Sequence, residues 1–506
     1  MRLYPEFDAF AETYKNGEPQ AVWTRLVADL ETPVSAMLKL GADKPMSFLL
    51  ESVEGGAVRG RYSVLGFDPD IIWRACGDAA EINRTPGKSL ARFTPCEGGT
   101  LDALRDLLAE SRMELPASLP PMALGVFGYM GYDTVRLIEK LPEPNPDPVG
   151  IPDAVLIRPT VMAIFDNVKD EIFIVTPVRP QKRVTAKTAY ARAVDRLSAI
   201  VDALDGPLSH AAAPNGASLD FPKASSNTAP REYETMVKKA KEYIAAGDVF
   251  QVVLSQRFSA PFDLPPFTLY RALRRVNPSP FLYFLNFGDY AIAGSSPEIL
   301  VRVRAGQVTI RPIAGTRRRG ETPQEDKWLS EDLLSDEKER AEHLMLLDLG
   351  RNDVGRVAKI GSVKVTDSFF LEYYSQVMHI VSNVVGELSD EYDAVDALMA
   401  GFPAGTVSGA PKVRAMEIID ELEKEKRGLY AGCVGYFSAT SGEMDSCIVL
   451  RTSLIKDGMM YVQAGAGIVA DSIPASEQRE CEVKAMALFR AAEEAVRFAS
   501  EARRGQ

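Results

Sequence analysis

The sequence predicts an α+β protein in which large antiparallel β-sheets pack against each other and helices lie on the outside. Short hairpins are the main support for the antiparallel arrangement. Ile299–Arg304 alternates apolar with basic residues, turns at a glycine and returns through Val308–Ile313. Further on, Cys447–Ile455 and Met459–Ala464 flank Asp457-Gly458, a dipeptide that favours a type I′ turn. Connections this short join only antiparallel strands, because parallel strands need long crossovers.

The first half of the chain predicts further strands and helices of the same kind. Three apolar runs bounded by Gly, Pro and Asp are typical of strands: Met46–Leu50, Ala123–Phe127 and Val161–Phe165. Apolar residues at helical spacing predict helices over Leu101–Leu108 and Thr185–Leu204.

Helix start signals are clearer in the second half. Thr322-Pro-Gln-Glu325 is a capping box with proline at the first helical position. Asp336, three residues before Glu339, predicts the start of a second helix. The last helix is expected to begin near Pro474 and to continue to about Ser500, with one apolar stripe.

One segment divides the chain. Residues 205–230 are rich in Ala, Pro, Ser, Gly and Asn and lack any apolar periodicity, which is typical of a linker or long loop. A chain of 506 residues has room for two or three domains. We therefore predict an N-terminal part, 1–204, and a C-terminal part, 231–506.

Composition indicates an ordinary globular protein of a reducing compartment. The chain is 46% hydrophobic, with a net charge of −12, which argues against nucleic acid and anionic membranes as partners. No apolar run approaches the roughly 20 residues that span a bilayer, and the N-terminus does not resemble a signal peptide. The five cysteines are scattered and form no C-x-x-C motif. We expect a cytoplasmic protein.

Two carboxylate pairs are the strongest chemical signal. Glu339-x-x-Glu342 and Glu477-x-x-Glu480 each open a helical stretch, and a spacing of three puts both members of a pair on one helix face. Four carboxylates from two helices suit Mg²⁺, which prefers carboxylate and water oxygens. Each pair alone is equally typical of a solvated helix face, so the interpretation depends on its neighbours.

The neighbours of the second pair suit an anion. Gln463–Ile468 contains two glycines, where a ligand can approach the backbone and successive N–H groups can bind it. Arg451 could add a forked contact to a carboxylate, and Lys484 lies on the same helix stripe as the two glutamates.

The first pair has similar neighbours. A predicted strand ends at Gly315 and Thr316, which bring a glycine and a hydroxyl close to that pair. Gly405–Lys412 is a glycine-rich turn into a helix, a possible anion seat that is also typical of an ordinary helix entry.

Five motifs resemble those of the chorismate-binding enzyme family and, within it, the large (component I) subunits of anthranilate synthases. They are PIAGTRRRG (312–320), DEKERAEHLMLLDLGRND (336–353), FPAGTVSGAPK (402–412), GYFSATSGEMDSCIVLR (435–451) and QAGAGIVADSIPASEQRECEVKA (463–485). The resemblance covers nearly all of residues 230–495, and it is thinner in the N-terminal half.

The resemblance implies a site for a dianion. Mg²⁺ would be held mainly by Glu342 and Glu480, with Glu339 and Glu477 nearby, and it would bind the ring carboxylate of chorismate. The remaining substrate contacts that the resemblance implies are Gly315, Thr316, Tyr430, Arg451, Gly465, Ala466, Gly467 and Lys484.

The resemblance also implies which reaction follows. Gln251 stands where water-using relatives carry a basic lysine, which favours ammonia as nucleophile because ammonia already has a free lone pair. Ala314 stands where aminodeoxychorismate synthases carry a nucleophilic lysine. Glu298 would be the general acid for the departing hydroxyl, with Thr406 also in the catalytic set. His379 would assist the loss of pyruvate, although a lone histidine on a strand face is often a core residue.

Regulation and assembly follow from the same resemblance. Tryptophan would inhibit at a separate site formed by Ser52, Pro280, Phe281 and Leu282, where the family more often has Tyr-Met in place of Phe281-Leu282. The apolar run could equally be a strand entering the core. We expect no glutaminase domain in this chain, so ammonia would come from a separate glutamine amidotransferase subunit, in a heterotetramer of two large and two small subunits.

Other functions remain open at this stage. An aminodeoxychorismate synthase or another chorismate-aminating synthase is the nearest alternative. A non-catalytic tryptophan-binding sensor on the same fold belongs to a different class. A Mg²⁺ phosphohydrolase is less favoured, because no Asp-rich phosphate motif accompanies the glutamates.

Overall fold

The computed structural model describes residues 1–54, 58–208, 223–374, 377–440 and 442–500. The helices are α1 Phe7–Lys15, α2 Pro33–Leu40, α3 Thr100–Ser111, α4 Ala186–Asp205, α5 Pro230–Ala246, α6 Pro266–Val276, α7 Pro323–Ser335, α8 Glu337–Gly355, α9 Ala394–Gly401, α10 Lys412–Leu422 and α11 Pro474–Ser500, with 3₁₀ turns at Tyr132–Leu137 and Gly405–Val407. The strands are β1 Leu3–Tyr4, β2 Gln20–Val27, β3 Ser47–Glu54, β4 Val58–Cys76, β5 Ala79–Asn83, β6 Thr94–Pro95, β7 Gly125–Met130, β8 Ala154–Asp166, β9 Glu171–Val178, β10 Ser225–Ser226, β11 Gln251–Pro261, β12 Phe281–Asn286, β13 Tyr290–Ser296, β14 Ile299–Arg304, β15 Gln307–Ile310, β16 Ile313–Arg318, β17 Lys364–Tyr373, β18 Val377–Glu387, β19 Gly409–Ala410, β20 Cys433–Ser438, β21 Met444–Ile448, β22 Thr452–Lys456 and β23 Met459–Ile468.

The strands form one hydrogen-bonded network, and the pairings between them are antiparallel, as predicted. One apolar core contains only strand and loop residues, among them Phe48, Phe127 and Ile292, so it lies where sheet packs on sheet. A second core joins α1, α2, α4, α5, α6, α10 and α11 to the other side of the strands. This arrangement confirms the predicted α+β architecture of packed antiparallel sheets with helices outside.

The predicted helices are present, but the capping box at Thr322 forms only in part, because the Glu325 side chain accepts from the Glu321 N–H and not from that of Thr322. α3, α4 and α11 cover the three predicted segments. The Thr322 side chain accepts from the Glu325 N–H at the start of α7, and Asp336 accepts from the N–H groups of Lys338 and Glu339 at the start of α8. No helix in the described ranges combines the length and the apolar character needed to cross a membrane.

Two predicted strands are broken. The hairpin β14–β15 forms as predicted, but its return strand ends at Ile310, before Pro312, which has no N–H for a ladder. The predicted strand Cys447–Ile455 was wrong, because β21 ends at Ile448 and β22 begins at Thr452. Between them Arg451 has φ +48°, a left-handed conformation outside the β region, and the strand is interrupted there.

The proposed linker has structured ends. α4 continues to Asp205, β10 pairs with the end of β11, and α5 begins at Pro230. Residues 209–222 lie outside the described residues. Strands from the two sides of this segment pair with each other, β3 with β12 and β7 with β20. The division into 1–204 and 231–506 stays a prediction.

Candidate active site

His379 lies in β18, opposite an irregular part of β16. The register between these strands shifts between Ala314 and Thr316, where Gly315 has φ +75°. The Nδ1 atom of His379 lies 3.2 Å from the Gly315 carbonyl oxygen and 2.9 Å from Thr316 Oγ1. A carbonyl can only accept, so Nδ1 carries the hydrogen and Nε2 keeps its lone pair. Burial and the nearby Arg451 guanidinium lower the pKa of His379 to about 4, so the imidazole is neutral at pH 7.

The first carboxylate pair reaches the same place from α8. A Cβ atom added to Gly315 would lie 3.2 Å from Glu339 Oε2, so this carboxylate lies over the glycine. Arg317 of β16 holds the carboxylate with an Nη1 to Oε1 distance of 3.1 Å, and it also bonds the cap residue Asp336. The start of α8 is thereby fixed beside His379.

The second pair approaches the first from α11. Burial raises the pKa of Glu342, and the charges of Glu339 and Glu477 raise it further. Burial also raises the pKa of Glu477, with a further contribution from Glu480. Glu342 thus lies close enough to Glu339 and Glu477 for their charges to act on it, so the structure brings together the two pairs that the sequence separates.

This donor set suits a divalent cation, although cations of the chain itself engage the carboxylates. Lys484 Nζ lies 2.7 Å from Glu480 Oε1, and Lys338 Nζ lies 3.9 Å from Glu342 Oε1. Within the described ranges, no three His, Cys, Asp or Glu side chains converge as a metal-ligand group. A divalent ion would offset the burial and the mutual repulsion that raise the pKa of Glu342 and Glu477, so the carboxylates are of the kind that Mg²⁺ prefers, although they do not converge on one point.

Gly465–Gly467 form an open edge of β23. One side of this segment pairs with β11. On the other side, the pairing with β22 ends at Ser453 opposite Val462, so no strand of the described chain covers the glycines. The Ala466 methyl group is fully buried in the core. From Gly465 to Gly467 the backbone therefore faces the site with no side chain of this segment in between.

Three side chains surround this open edge. The Tyr430 hydroxyl oxygen lies 2.8 Å from the position of a Cβ atom added to Gly465, and Gln251 Nε2 lies 3.0 Å from that of Gly467. Lys484 Nζ donates to the Gly465 carbonyl at 2.9 Å. An anion at the open edge would therefore meet a hydroxyl, an amide and an ammonium group, and larger residues than glycine would exclude it.

Arg451 brings a cation to the same region. Its carbonyl oxygen accepts from the Ser295 N–H at 3.1 Å, which fixes the break between β21 and β22. Burial lowers the pKa of its guanidinium. Its side chain forms no ion pair with any carboxylate of the described residues, and its charge acts on His379. Because burying an unpaired cation is unfavourable, this arrangement favours an anionic ligand.

Glu298, which is buried, and Thr406, which is half-buried, form a separate pair. The Thr406 hydroxyl lies 3.2 Å from each carboxylate oxygen of Glu298. Both residues line a cavity of about 30 Å³ that reaches Pro312 and Leu346. Burial raises the pKa of Glu298 to about 8, partly offset by the Thr406 hydrogen bond. The carboxyl group is therefore protonated at neutral pH and can donate a proton.

The sequence analysis missed Tyr374. Its ring centroid lies 5.6 Å from that of His379, and its hydroxyl donates to Glu372 at 2.7 Å. It also interacts electrostatically with Glu298 and Arg451, so it connects these two residues with His379. The sequence contains no clear signal for this role, because the residue directly follows β17 and only the short hairpin between β17 and β18 brings its ring to His379.

The four predicted tryptophan-site residues do not join this site. Ser52 of β3 lies opposite Phe281 of β12, and both line a cavity of about 370 Å³ together with Leu282. Pro280 is half-buried directly before β12 and does not line the cavity. The volume lies within the range of small-molecule sites.

Comparisons with known proteins agree with this geometry. A family model described as chorismate binding enzyme matches residues 68–490. Anthranilate synthase component 1 of Cereibacter sphaeroides is 56% identical over 505 residues, with 99% of each chain covered, and that of Pseudomonas aeruginosa is 48% identical, with 92% and 94% covered. A crystal structure of anthranilate synthase component I from Streptococcus pneumoniae has a TM-score of 0.74 at 38% identity, covering 92% of this chain and 99% of that one.

A more distant enzyme shares the same fold. MenF, the menaquinone-specific isochorismate synthase from Escherichia coli, has a TM-score of 0.70 at 18% identity, with 96% and 98% of the two chains covered. The chain thus belongs to the chorismate-binding enzymes. Within that family it belongs to the anthranilate synthase component 1 proteins.

Thr406→Val is expected to raise the pKa of Glu298 above about 8, because the threonine hydrogen bonds favour the carboxylate form. Loss of one hydrogen bond to a charged group corresponds to a change in pKa of about one unit. Infrared titration of protein labelled with ¹³C-glutamate would follow the protonated carboxyl band, which should persist to higher pH than in the wild type. Glu298→Gln serves as control, since it removes the band. An unchanged midpoint would contradict the inferred hydrogen bonds.

Proposed function

We propose that this protein is the large subunit of an anthranilate synthase. It adds ammonia to C2 of chorismate with loss of the C4 hydroxyl, and then eliminates pyruvate to give anthranilate, the first step of tryptophan biosynthesis. Mg²⁺ is its cofactor, and tryptophan is its feedback inhibitor. The near-full-length similarity to anthranilate synthase component 1 proteins supports this assignment.

The observation that carries the proposal is the combination of an anion seat with a protonated acid. Chorismate is a dianion, and a protein of net charge −12 can bind it only where positive potential is concentrated. Arg451, Lys484 and the open edge of β23 supply that potential. Glu298 supplies a proton at neutral pH.

The first step requires a nucleophile at C2 and a leaving group at C4. Ammonia attacks C2, both ring double bonds shift by one position, and the C4–O bond breaks. Glu298 protonates the departing hydroxyl, so that it leaves as water. Gln251 holds the nucleophile by hydrogen bonds, since a neutral amide cannot deprotonate water but can orient ammonia.

The second step aromatises the ring. The C2 hydrogen is lost and the C3–O bond breaks, which releases pyruvate. His379 is neutral and keeps a lone pair on Nε2, so it can assist the movement of this proton. The contacts with Gly315 and Thr316 hold the imidazole ring of His379 in one orientation and one tautomer.

The metal would be held by Glu342 and Glu480, with Glu339 and Glu477 beside it. When bound, Mg²⁺ neutralises the ring carboxylate of the substrate and polarises it. The name component 1 implies a further component, and we propose that it is a glutamine amidotransferase that delivers ammonia. Two copies of each subunit would form a heterotetramer in the cytoplasm.

The central test is turnover with ammonium alone. Purified protein with chorismate, Mg²⁺ and ammonium at alkaline pH should release anthranilate, identified by chromatography and fluorescence, and chelation of the metal should stop the reaction. Glu342→Ala and Glu480→Ala should each lower kcat/KM about 100-fold or more. Each substitution removes a carboxylate that would hold the metal and, through the metal, the substrate. Glu337→Ala is the matched control, as this residue is exposed in the first turn of α8.

Two results would overturn the assignment. Accumulation of an aminated product without anthranilate would indicate an aminodeoxychorismate synthase or another aminating enzyme. Binding of tryptophan without any turnover of chorismate would indicate a sensor. Ala314 already disfavours the first of these, since it lacks the nucleophile.

His379→Met should separate the two half-reactions. Methionine removes the lone pair and the proton of the imidazole at similar volume, so the aminated intermediate should accumulate while anthranilate output falls about 100-fold. Chromatography of the products measures the ratio. Asn383→Met on the same strand is the control for an added methionine. Unchanged anthranilate output in His379→Met would remove the residue from the mechanism.

Ser52→Phe should make the enzyme insensitive to tryptophan. The phenyl ring would occupy part of the 370 Å³ cavity, so the tryptophan concentration for half inhibition should rise about tenfold or more, with kcat almost unchanged. Inhibition curves at fixed chorismate measure the effect. Ser225→Phe, at an exposed strand position outside the cavity, is the control. Wild-type sensitivity in Ser52→Phe would place the inhibitor elsewhere.

A further inference from the structure

We propose that the buried ion pair between Glu423 and Arg427 positions the substrate-binding groups by joining separate parts of the active site. The identity of the substrate rests on the proposed function, whereas the geometry of the pair does not. Both residues act through other side chains and backbone groups, so they are positioning residues.

The pair is almost completely removed from solvent. The side chains of Glu423 and Arg427 are only 5% and 1% exposed. The guanidinium forms a forked contact, with Nη2 to Oε1 at 2.6 Å and Nε to Oε2 at 2.9 Å. Such bidentate contacts fix direction as well as distance.

Arg427 connects two segments that carry predicted catalytic residues. Its Nη2 donates to the Val253 carbonyl in β11, and its Nη1 donates to the Val407 carbonyl in the 3₁₀ turn, both at 2.7 Å. Val253 lies two residues after Gln251, and Val407 directly follows Thr406. The Arg427 guanidinium therefore sets the distance between Gln251, which would hold ammonia, and Thr406. Thr406 is the hydrogen-bond partner of the proposed general acid Glu298.

Glu423 extends the connection to the open edge of β23. Its Oε1 accepts from the Ser255 N–H at 2.7 Å and from the Ser255 hydroxyl at 2.9 Å. Gln463 Nε2 donates to the same hydroxyl at 2.8 Å. Gln463 stands two residues before Gly465, so the glutamate fixes the register of the strand that presents the glycines.

The guanidinium also holds the aromatic side chain that faces these glycines. The Arg427 Cζ atom lies 5.4 Å from the Tyr430 ring centroid and 4.9 Å from that of Tyr132. The cation is thus attracted to both rings. Because the Tyr430 hydroxyl faces Gly465, a shift of the cation would move a predicted substrate contact.

Stability alone does not explain this pair. Apolar residues of similar volume in place of a buried ion pair often leave a protein equally stable, so stability gives no reason to bury this pair. Lysine could not reproduce the planar fork, the two carbonyl contacts and the contact with the rings. The pair therefore contributes orientation that neither an apolar pair nor a lysine provides.

The test is Arg427→Lys in the full chain. We expect kcat/KM for chorismate to fall about 100-fold, because a shift of about 1 Å in positioned groups is sufficient for such a loss. Hydrogen exchange of the backbone amides in 251–256 and 463–468 should become faster, while the circular dichroism spectrum and a cooperative unfolding transition are retained.

Arg158→Lys is the matched control. Arg158 is also a mostly buried arginine with two contacts, at 2.7 and 2.9 Å, to one carboxylate, that of Asp70, but it lies in β8 away from the site. It should alter stability without changing kcat/KM or exchange in the two segments. Equal kinetic losses in both variants, or wild-type kinetics and exchange in Arg427→Lys, would overturn the proposal.

A second variant covers the case in which Arg427→Lys does not fold. Glu423→Gln/Arg427→Met removes both buried charges but keeps an acceptor for Ser255, so it should fold and still show the same loss and the same faster exchange. A folded double variant with wild-type behaviour would also overturn the proposal. If the wild type itself does not turn over chorismate, the proposed function fails, and the exchange measurements alone decide whether the pair positions the strands.

Discussion

The open edge of β23 is the feature on which the rest of the site depends. Its glycines lack a partner strand on one side because β22 begins only at Thr452, after the break that contains Arg451. If the register of Ser453 opposite Val462 continued without a break, Val449 would lie opposite Ala466 and cover the backbone. The same break that uncovers the edge places a guanidinium beside it. One backbone irregularity thus creates both the vacancy in the sheet and the charge that an anion needs there.

Charge balance follows from this arrangement. An acidic protein gathers four glutamates next to an anion seat, which is favourable only when cations stand between them. Arg317, Lys338 and Lys484 contact these glutamates in the structure, and a divalent ion would complete the balance in the presence of substrate. Farther inside, Glu298 is kept neutral by burial. The site therefore keeps the four glutamates, which must be charged, apart from Glu298, which must hold its proton.

Much of the site could be predicted from the sequence because its motifs are local. Glycine spacing, helix caps and carboxylate pairs act within a few residues, and the structure has them where they were expected. The break at Arg451 could not be predicted, because Cys447–Ile455 has the composition of a continuous strand and only the tertiary structure favours a left-handed arginine. The pair Glu423–Arg427 was missed for a related reason: its partners Val253, Ser255 and Val407 lie in segments that only the folded protein brings together. Tyr374 was missed because it lies in a short hairpin turn that carries no motif.

The large cavity near Ser52 shares its wall with Glu298. Phe281 lies opposite Ser296, two residues before Glu298, and the N–H of Ile448, next to the lining residue Cys447, donates to the Glu298 carbonyl at 3.0 Å. Changes on that wall alter the proton donor as well as the cavity. Substitutions meant to alter the cavity alone therefore belong at lining residues outside β12 and β21, such as Tyr62 and Met122.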